Sequence, residues 1–227
     1  MYELYERNNG PSPFSAASGA PSLDSLGLKH QTDKSSTHHD YLHFYQRFLE
    51  PLRALPLNLL EIGVYNGGSA NMWAEYFPNA RIVGLDIDPS TTRFATDRIA
   101  IEIADQSNVD DLVRIAAGYG PFDVILDDGS HMWDHQITSL RWLFPFLKRG
   151  GFYIIEDIDT SYGTAVPEFR GVAPEPAAEY LKRMADYLVG DAKLDISREP
   201  DAFIRSYARD IEFIAFARRT SITRRRA

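Results

Sequence analysis

The chain has 227 residues, of which 44% are hydrophobic and 25% charged, with a net charge of −8 and no cysteine. That length suits one domain with a sizeable core, and the negative balance argues against a nucleic-acid backbone as the main partner. The missing cysteines exclude disulfides, thiolate zinc sites and cysteine nucleophiles, and no apolar run approaches the roughly 20 residues that span a bilayer.

Residues 1–9 are polar and acidic, unlike a secretory signal, so a cytoplasmic location is expected. Residues 1–27, with Asn-Gly, Pro-Ser-Pro and Ser-Gly-Ala-Pro after position 8, read as an irregular extension ahead of a single domain over 28–227. From Thr37, the residues Tyr41, Phe44, Tyr45, Phe48 and Leu49 recur at spacings of three and four, which predicts a helix that Pro51 ends. This aromatic helix can pack on its own domain or on a second copy of the chain, so a homo-oligomer stays open.

Strands and helices then alternate. A strand is expected over 59–64, a helix over 69–77, and strands over 81–86 and 99–103. A helix over 110–117 has Asn108 or Asp110 near its cap. Residues 124–126 form the centre of another strand. The next helix, over 134–147, is closed by Lys148-Arg149-Gly150-Gly151, a basic last turn followed by glycine. A strand over 152–155, a helix over 176–188 and a hairpin from 211–216 and 221–224 complete the order. Repeated β-α units imply an α/β fold, with a mostly parallel sheet, helices on both faces and a C-terminal antiparallel hairpin. The basic tail at Arg218-Arg219 and Arg224-Arg225-Arg226 reads as a solvated terminus.

Two acidic clusters each follow a short apolar run. Asp127-Asp128-Gly129-Ser130-His131 follows one, and Glu156-Asp157-Ile158-Asp159 follows the other. Ligands bind at the carboxyl ends of parallel strands. Carboxylates crowded there raise each other's pKa, and a divalent cation relieves the repulsion.

A second set of acids marks a cofactor crevice. Leu60-Glu61-Ile62-Gly63-Val64-Tyr65-Asn66-Gly67-Gly68 joins a strand to a helix. The spacing is not that of G-x-G-x-x-G, and Glu61 would repel a pyrophosphate. An acid there suits a ligand with an amino group and a sulfonium. Asp86, in Leu85-Asp86-Ile87-Asp88, is placed to accept from ribose hydroxyls. The third strand leads to Asp105-Gln106, where an acid can accept from an adenine amino group.

With these residues the chain resembles a class I S-adenosylmethionine-dependent methyltransferase. More narrowly, it is similar to the metal-dependent sugar O-methyltransferases of the macrocin and mycinamicin type. Thr32-Asp33-Lys34, the stretch 60–68, Phe77-Pro78-Asn79-Ala80, Gly84-Leu85-Asp86, Asp105-Gln106-Ser107, Gly120-Pro121-Phe122-Asp123, the stretch 127–131, Gly150-Gly151 and Glu156-Asp157 carry the likeness, which runs from about Gln31 to Tyr162. It implies a Rossmann-like methyltransferase fold, S-adenosyl-L-methionine as cofactor and Mg²⁺, or Mn²⁺, as the metal. It makes Asp128, Glu156 and Asp157 the metal ligands and His131 the general base. Glu61, Gly63, Gly67, Asp86, Ile87, Asp105, Gln106 and Asp127 would hold the cofactor or shape its site, and Lys34 and Tyr65 would reach its methionine end. The implied acceptor is a hydroxylated small molecule, a sugar or glycosylated natural product. A catechol-like phenol and a nucleotide-dependent oxidoreductase are the alternatives. Larger members carry an extra N-terminal domain, and beyond Tyr162 no motif matches.

On residue type alone, His131 suits a base because imidazole titrates nearest neutral pH. His135 is its reserve. Tyr41, Phe44, Tyr45 and Phe48 read as core, Trp133 and Trp142 as packed on the sheet, and His38, His39 and His43 as an exposed helix start.

Overall fold

The computed structural model describes residues 19–227. Of the stretch read as an irregular extension, residues 1–18 lie outside the described residues. Residues 23–27 are instead part of helix α1 (Leu23–Lys29). The Ser22 hydroxyl caps that helix by accepting from the Ser25 amide, and buried Leu23 and Leu26 dock it on the domain.

Helix α2 spans Leu42–Leu49 and is followed by a 3-10 turn through Pro51. Strand β1 (Asn58–Ile62) leads to α3 (Gly68–Tyr76), β2 (Arg81–Asp86) and β3 (Ile99–Ile103). Helix α4 (Val109–Tyr119) takes its N-cap from the Asn108 side chain, and β4 covers Phe122–Asp127. Helix α5 (Trp133–Leu143), β5 (Leu147–Ile155), α6 (Val166–Phe169), α7 (Ala177–Gly190) and α8 (Ala202–Tyr207) follow, then β6 (Ile211–Ala217) and β7 (Thr220–Arg225).

The seven strands among the described residues order as β3-β2-β1-β4-β5-β7-β6. β1 to β5 run parallel, and β7 pairs antiparallel with both β5 and β6. The sheet is apolar on both faces because successive strand residues point to opposite sides. Leu60, Ile62, Val83, Leu85, Ile125 and Tyr153 face a core shared with α4, α5, α7 and α8. Their neighbours Leu59, Ile82, Val124, Leu126, Phe152 and Ile154 face the other core, shared with α1, α2 and α3. This is the Rossmann-like arrangement expected from the sequence.

One helix end differs. The helix expected over 134–147 stops at Leu143, because Pro145 has no amide proton to continue it. Lys148 to Gly151 therefore belong to β5, and the Lys148 amine reaches the Asp123 carboxylate on β4 at 2.8 Å. Helix α8 was not anticipated. The aromatic helix lies on its own domain, with Phe48 against Phe152 and Phe213 at centroid distances of 6.2 and 5.5 Å. Trp133 is buried, whereas Trp142 is 45% exposed rather than packed on the sheet. No helix among the described residues is long and apolar enough to cross a membrane.

Strand order reverses between β1 and β4. The carboxyl ends there splay their connections to opposite sides and open a crevice. All three acid-bearing loops of the cofactor reading and both acidic clusters end on this edge.

Candidate active site

A cavity of about 690 Å³ occupies the crevice. Ten of the fourteen residues expected to serve as base, metal ligands or cofactor contacts line it: Lys34, Gly63, Tyr65, Asp86, Ile87, Asp105, Gln106, Asp128, His131 and Asp157. Glu61, Gly67, Asp127 and Glu156 stand outside the lining. Among the described residues, four of the seven non-glycine residues with positive φ, Gln31, Tyr65, His131 and Asp157, line the same cavity. Backbone strain persists where the surroundings enforce it, and it gathers at functional sites.

The first loop is shaped by close backbone approach. Gly63 has φ of +90°, and a Cβ there would run into the Asp128 carbonyl. The Asp86 carboxylate sits at the tip of β2 and accepts from the amides of Val64 (2.8 Å), Tyr65 (2.9 Å) and Asp88 (2.9 Å). It thereby holds the loop while keeping lone pairs toward the cavity. Gly67 caps α3 with φ of +73°. Glu61 is fully buried and accepts from Trp73 Nε1 at 3.2 Å. Burial pushes its carboxyl up to about 7, although Lys34 pulls the other way.

The β3 loop splits its work. One oxygen of Asp105 accepts from the Ser107 amide and hydroxyl, both at 2.7 Å. The Gln106 amide group donates to Asp127 Oδ1 (2.6 Å) and Ser139 Oγ (3.0 Å), and its oxygen accepts from the Ser130 amide (3.0 Å). Gln106 thus stitches the acidic tip of β4 to its neighbours. Burial raises the Asp127 carboxyl to about 7.

The two acidic clusters converge. Asp127 pairs with Ile155 in the β4–β5 register, and the Glu156 amide donates to the Asp127 carbonyl at 2.9 Å. Lys34, 1% exposed, directs its ammonium onto both Asp128 and Glu156, the latter at 3.0 Å. Burial alone would lower its pKa, but those two carboxylates hold it well above the usual lysine value. Burial and Asp128 together raise the Glu156 carboxyl.

Asp128, His131 and Asp157 each offer one donor atom within 4.8 Å of the others. His131 Nε2 is 3.6 Å from Asp157 Oδ2, and its Nδ1 is buried without a hydrogen-bond partner. Two carboxylates and an imidazole suit a hard or borderline divalent cation. Of the expected trio, Asp128 and Asp157 stand in this group, with His131 as its third member, and Glu156 lies outside it. Glu156 is engaged by Lys34 and by the Tyr45 hydroxyl at 2.9 Å, while His131 stands beside Asp128 and Asp157.

Several site residues escaped the sequence reading. The Tyr41 hydroxyl donates to Asp157 Oδ1 at 2.7 Å, and Arg219 donates to the same oxygen at 2.6 Å. The Thr160 hydroxyl lies 3.0 Å from the Asp157 carbonyl and 3.2 Å from that of His131. Tyr41 and Tyr45 are core residues as expected, yet their hydroxyls reach the acids. Their i, i+4 spacing gives a shared face, but apolar periodicity does not distinguish a tyrosine from a phenylalanine. His38 also lines the cavity, and His135 Nδ1 lies 2.7 Å from Ser130 Oγ.

Residues 60–158 match the family model Methyltransf_24, a methyltransferase domain. Over 180 residues the chain is 37% identical to a tetracenomycin-C rhamnosyl 3'-O-methyltransferase of Streptomyces olivaceus, a match taking in 76% of this chain and 45% of the relative. It is 38% identical over 162 residues to mycinamicin VI 2''-O-methyltransferase of Micromonospora griseorubida, covering 67% and 39%. Among solved structures, the MycE methyltransferase of mycinamycin biosynthesis, in complex with Mg, SAH and mycinamycin VI, superimposes with a TM-score of 0.78 at 31% identity. That match covers 92% of this chain and 56% of MycE. The chain spans less than half the length of the curated relatives it matches.

Proposed function

We propose that this chain, which carries a class I S-adenosylmethionine-dependent methyltransferase domain, transfers a methyl group to a hydroxyl of a sugar on a glycosylated natural product, with Mg²⁺ or Mn²⁺ held at Asp128, Glu156 and Asp157. The observation that carries this reading is the joining, in one cavity, of the Asp86–Asp105 rim with the Asp128–His131–Asp157 group. The relatives named above are sugar O-methyltransferases or a methyltransferase bound to such a glycoside, which favours this acceptor class over a catechol and over redox chemistry.

The roles follow from position. Asp86 keeps lone pairs for ribose hydroxyls, and the second oxygen of Asp105 faces an adenine amino group. Ile87, 68% exposed, offers apolar surface to the adenine, and Tyr65, 84% exposed, is assigned to the methionine end. Glu61, behind the lining, suits a sulfonium donor in its ionised form. A divalent cation, when bound, lowers the pKa of an acceptor hydroxyl. His131 then takes that proton at Nε2, its ring already placed by the strained backbone at its own position. The protein's remaining task is alignment, because transfer needs acceptor oxygen and methyl carbon about 3 Å apart.

The test is a panel of deoxysugar glycosides and catechols offered with S-adenosylmethionine and Mg²⁺, read by mass shift. Methylation of glycosides is expected. Methylation of catechols with glycosides left untouched would overturn the acceptor class, and full turnover in a verified metal-free preparation would overturn the metal.

A further inference from the structure

The acid pair that ends β5 is braced from the two ends of the fold. From α2 and the residue before it, Tyr45 reaches Glu156 and Tyr41 reaches Asp157. From the turn between β6 and β7, Arg219 reaches Asp157, and its Nε also meets Asp159 at 3.1 Å. The Ile158 amide donates to the Arg219 carbonyl at 2.9 Å, so the turn is fastened to the loop by backbone as well as side chain.

The distribution over the Asp157 carboxylate is uneven. Both Tyr41 and Arg219 donate to Oδ1, at 2.7 and 2.6 Å. Oδ2 instead faces His131. The backbone of Asp157 is in the left-handed region, with φ of 52° and ψ of 36°, which further restricts where the side chain points.

We infer that Tyr41 and Arg219 are positioning residues that tie down Oδ1 so that Asp157 offers Oδ2 alone to a divalent cation. The inference rests on the metal reading above. Partners of this kind orient ligating carboxylates, and their loss typically weakens metal binding by 10- to 100-fold. Neither residue lies in the cavity lining, so the effect should spare the cofactor crevice.

Mn²⁺ affinity is read by electron paramagnetic resonance, and S-adenosylhomocysteine affinity by calorimetry, on the full chain. Tyr41→Phe keeps the ring that stacks on Tyr45 at 5.9 Å and removes only the hydroxyl. Arg219→Lys keeps the charge and loses the fork. In both, Mn²⁺ binding should weaken by about 10-fold or more while S-adenosylhomocysteine binding stays at the wild-type value. Asp128→Asn serves as the control for the metal site itself. Wild-type Mn²⁺ affinity in both variants, with binding weakened in Asp128→Asn, would overturn the inference and leave the metal reading standing. Parallel loss of Mn²⁺ and S-adenosylhomocysteine would reduce both residues to a packing role and equally overturn it. No Mn²⁺ binding in the wild type would remove the metal reading, and the inference with it.

Discussion

His131 Nε2 lies 3.6 Å from Asp157 Oδ2, and both residues hold the left-handed backbone, with φ of 59° and 52°. Non-glycine residues adopt that conformation at a cost, so the surrounding contacts must enforce it. The Thr160 hydroxyl supplies one such contact, lying within hydrogen-bond distance of both carbonyls. His131 and the acid beside it are thus set by one shared restraint.

His131→Ala should lower kcat by about 10²- to 10⁴-fold, the usual range for losing a general base. S-adenosylhomocysteine binding by calorimetry should persist. Wild-type turnover in this variant would remove the role of base.

Gly63→Ala adds a Cβ where the Asp128 carbonyl already stands, on a backbone with φ of +90°. Two loops would have to separate. A loss of stability above about 2 kcal/mol is expected in denaturant titration, with cofactor affinity falling alongside it. A variant as stable as wild type would contradict the close approach described here.

Glu61 gives a pH dependence with a definite sign. Its carboxyl rises from an ordinary 4.5 to about 7 on folding, first through burial. The folded chain therefore holds that proton more tightly, and the stability this contributes is present at low pH and lost as pH rises from 4.5 to about 7. Glu61→Gln has no charge to bury. Its stability relative to wild type should increase by on the order of 3 kcal/mol over that window, measured by urea unfolding at a series of pH values. A constant difference would mean that Glu61 does not titrate there.

Lys34→Met strips the ammonium that lies between Asp128 and Glu156. Two carboxylates are left facing each other without a counter-charge, which destabilises a fold by roughly 3–5 kcal/mol. Mg²⁺ should restore part of that loss, because any ligand that binds only the folded state stabilises it. Thermal melts of the variant in EDTA and in excess Mg²⁺ read both effects. Equal melting points in the two conditions would show that these acids do not bind the ion.

Much of this site was legible because the acids punctuate strand ends. Asp86, Asp105, Asp128 and Asp157 each follow an apolar run, and a parallel sheet carries all such ends to one edge. The pairing of β4 with β5 then brings the two clusters together. What stayed hidden depends on direction rather than position. Nothing in Thr32-Asp33-Lys34 says that the ammonium meets the acids after β4 and β5. Nor does the aromatic periodicity of 41–49 reveal two hydroxyls aimed across the core. Lys148-Arg149-Gly150-Gly151 misled because a basic turn before glycine is the usual close of a helix, while Pro145 had already ended it. Arg219 looked like part of a solvated tail, since only the folded hairpin carries it to the loop after β5.

That hairpin has a consequence for how the protein comes into being. As the polypeptide leaves the ribosome, β1 to β3 and their loops emerge well before residues 211–225. The guanidinium that meets Asp157 emerges 62 residues after it. The Asp157 carboxylate therefore gains its Arg219 partner only once β6 and β7 have joined the sheet beside β5.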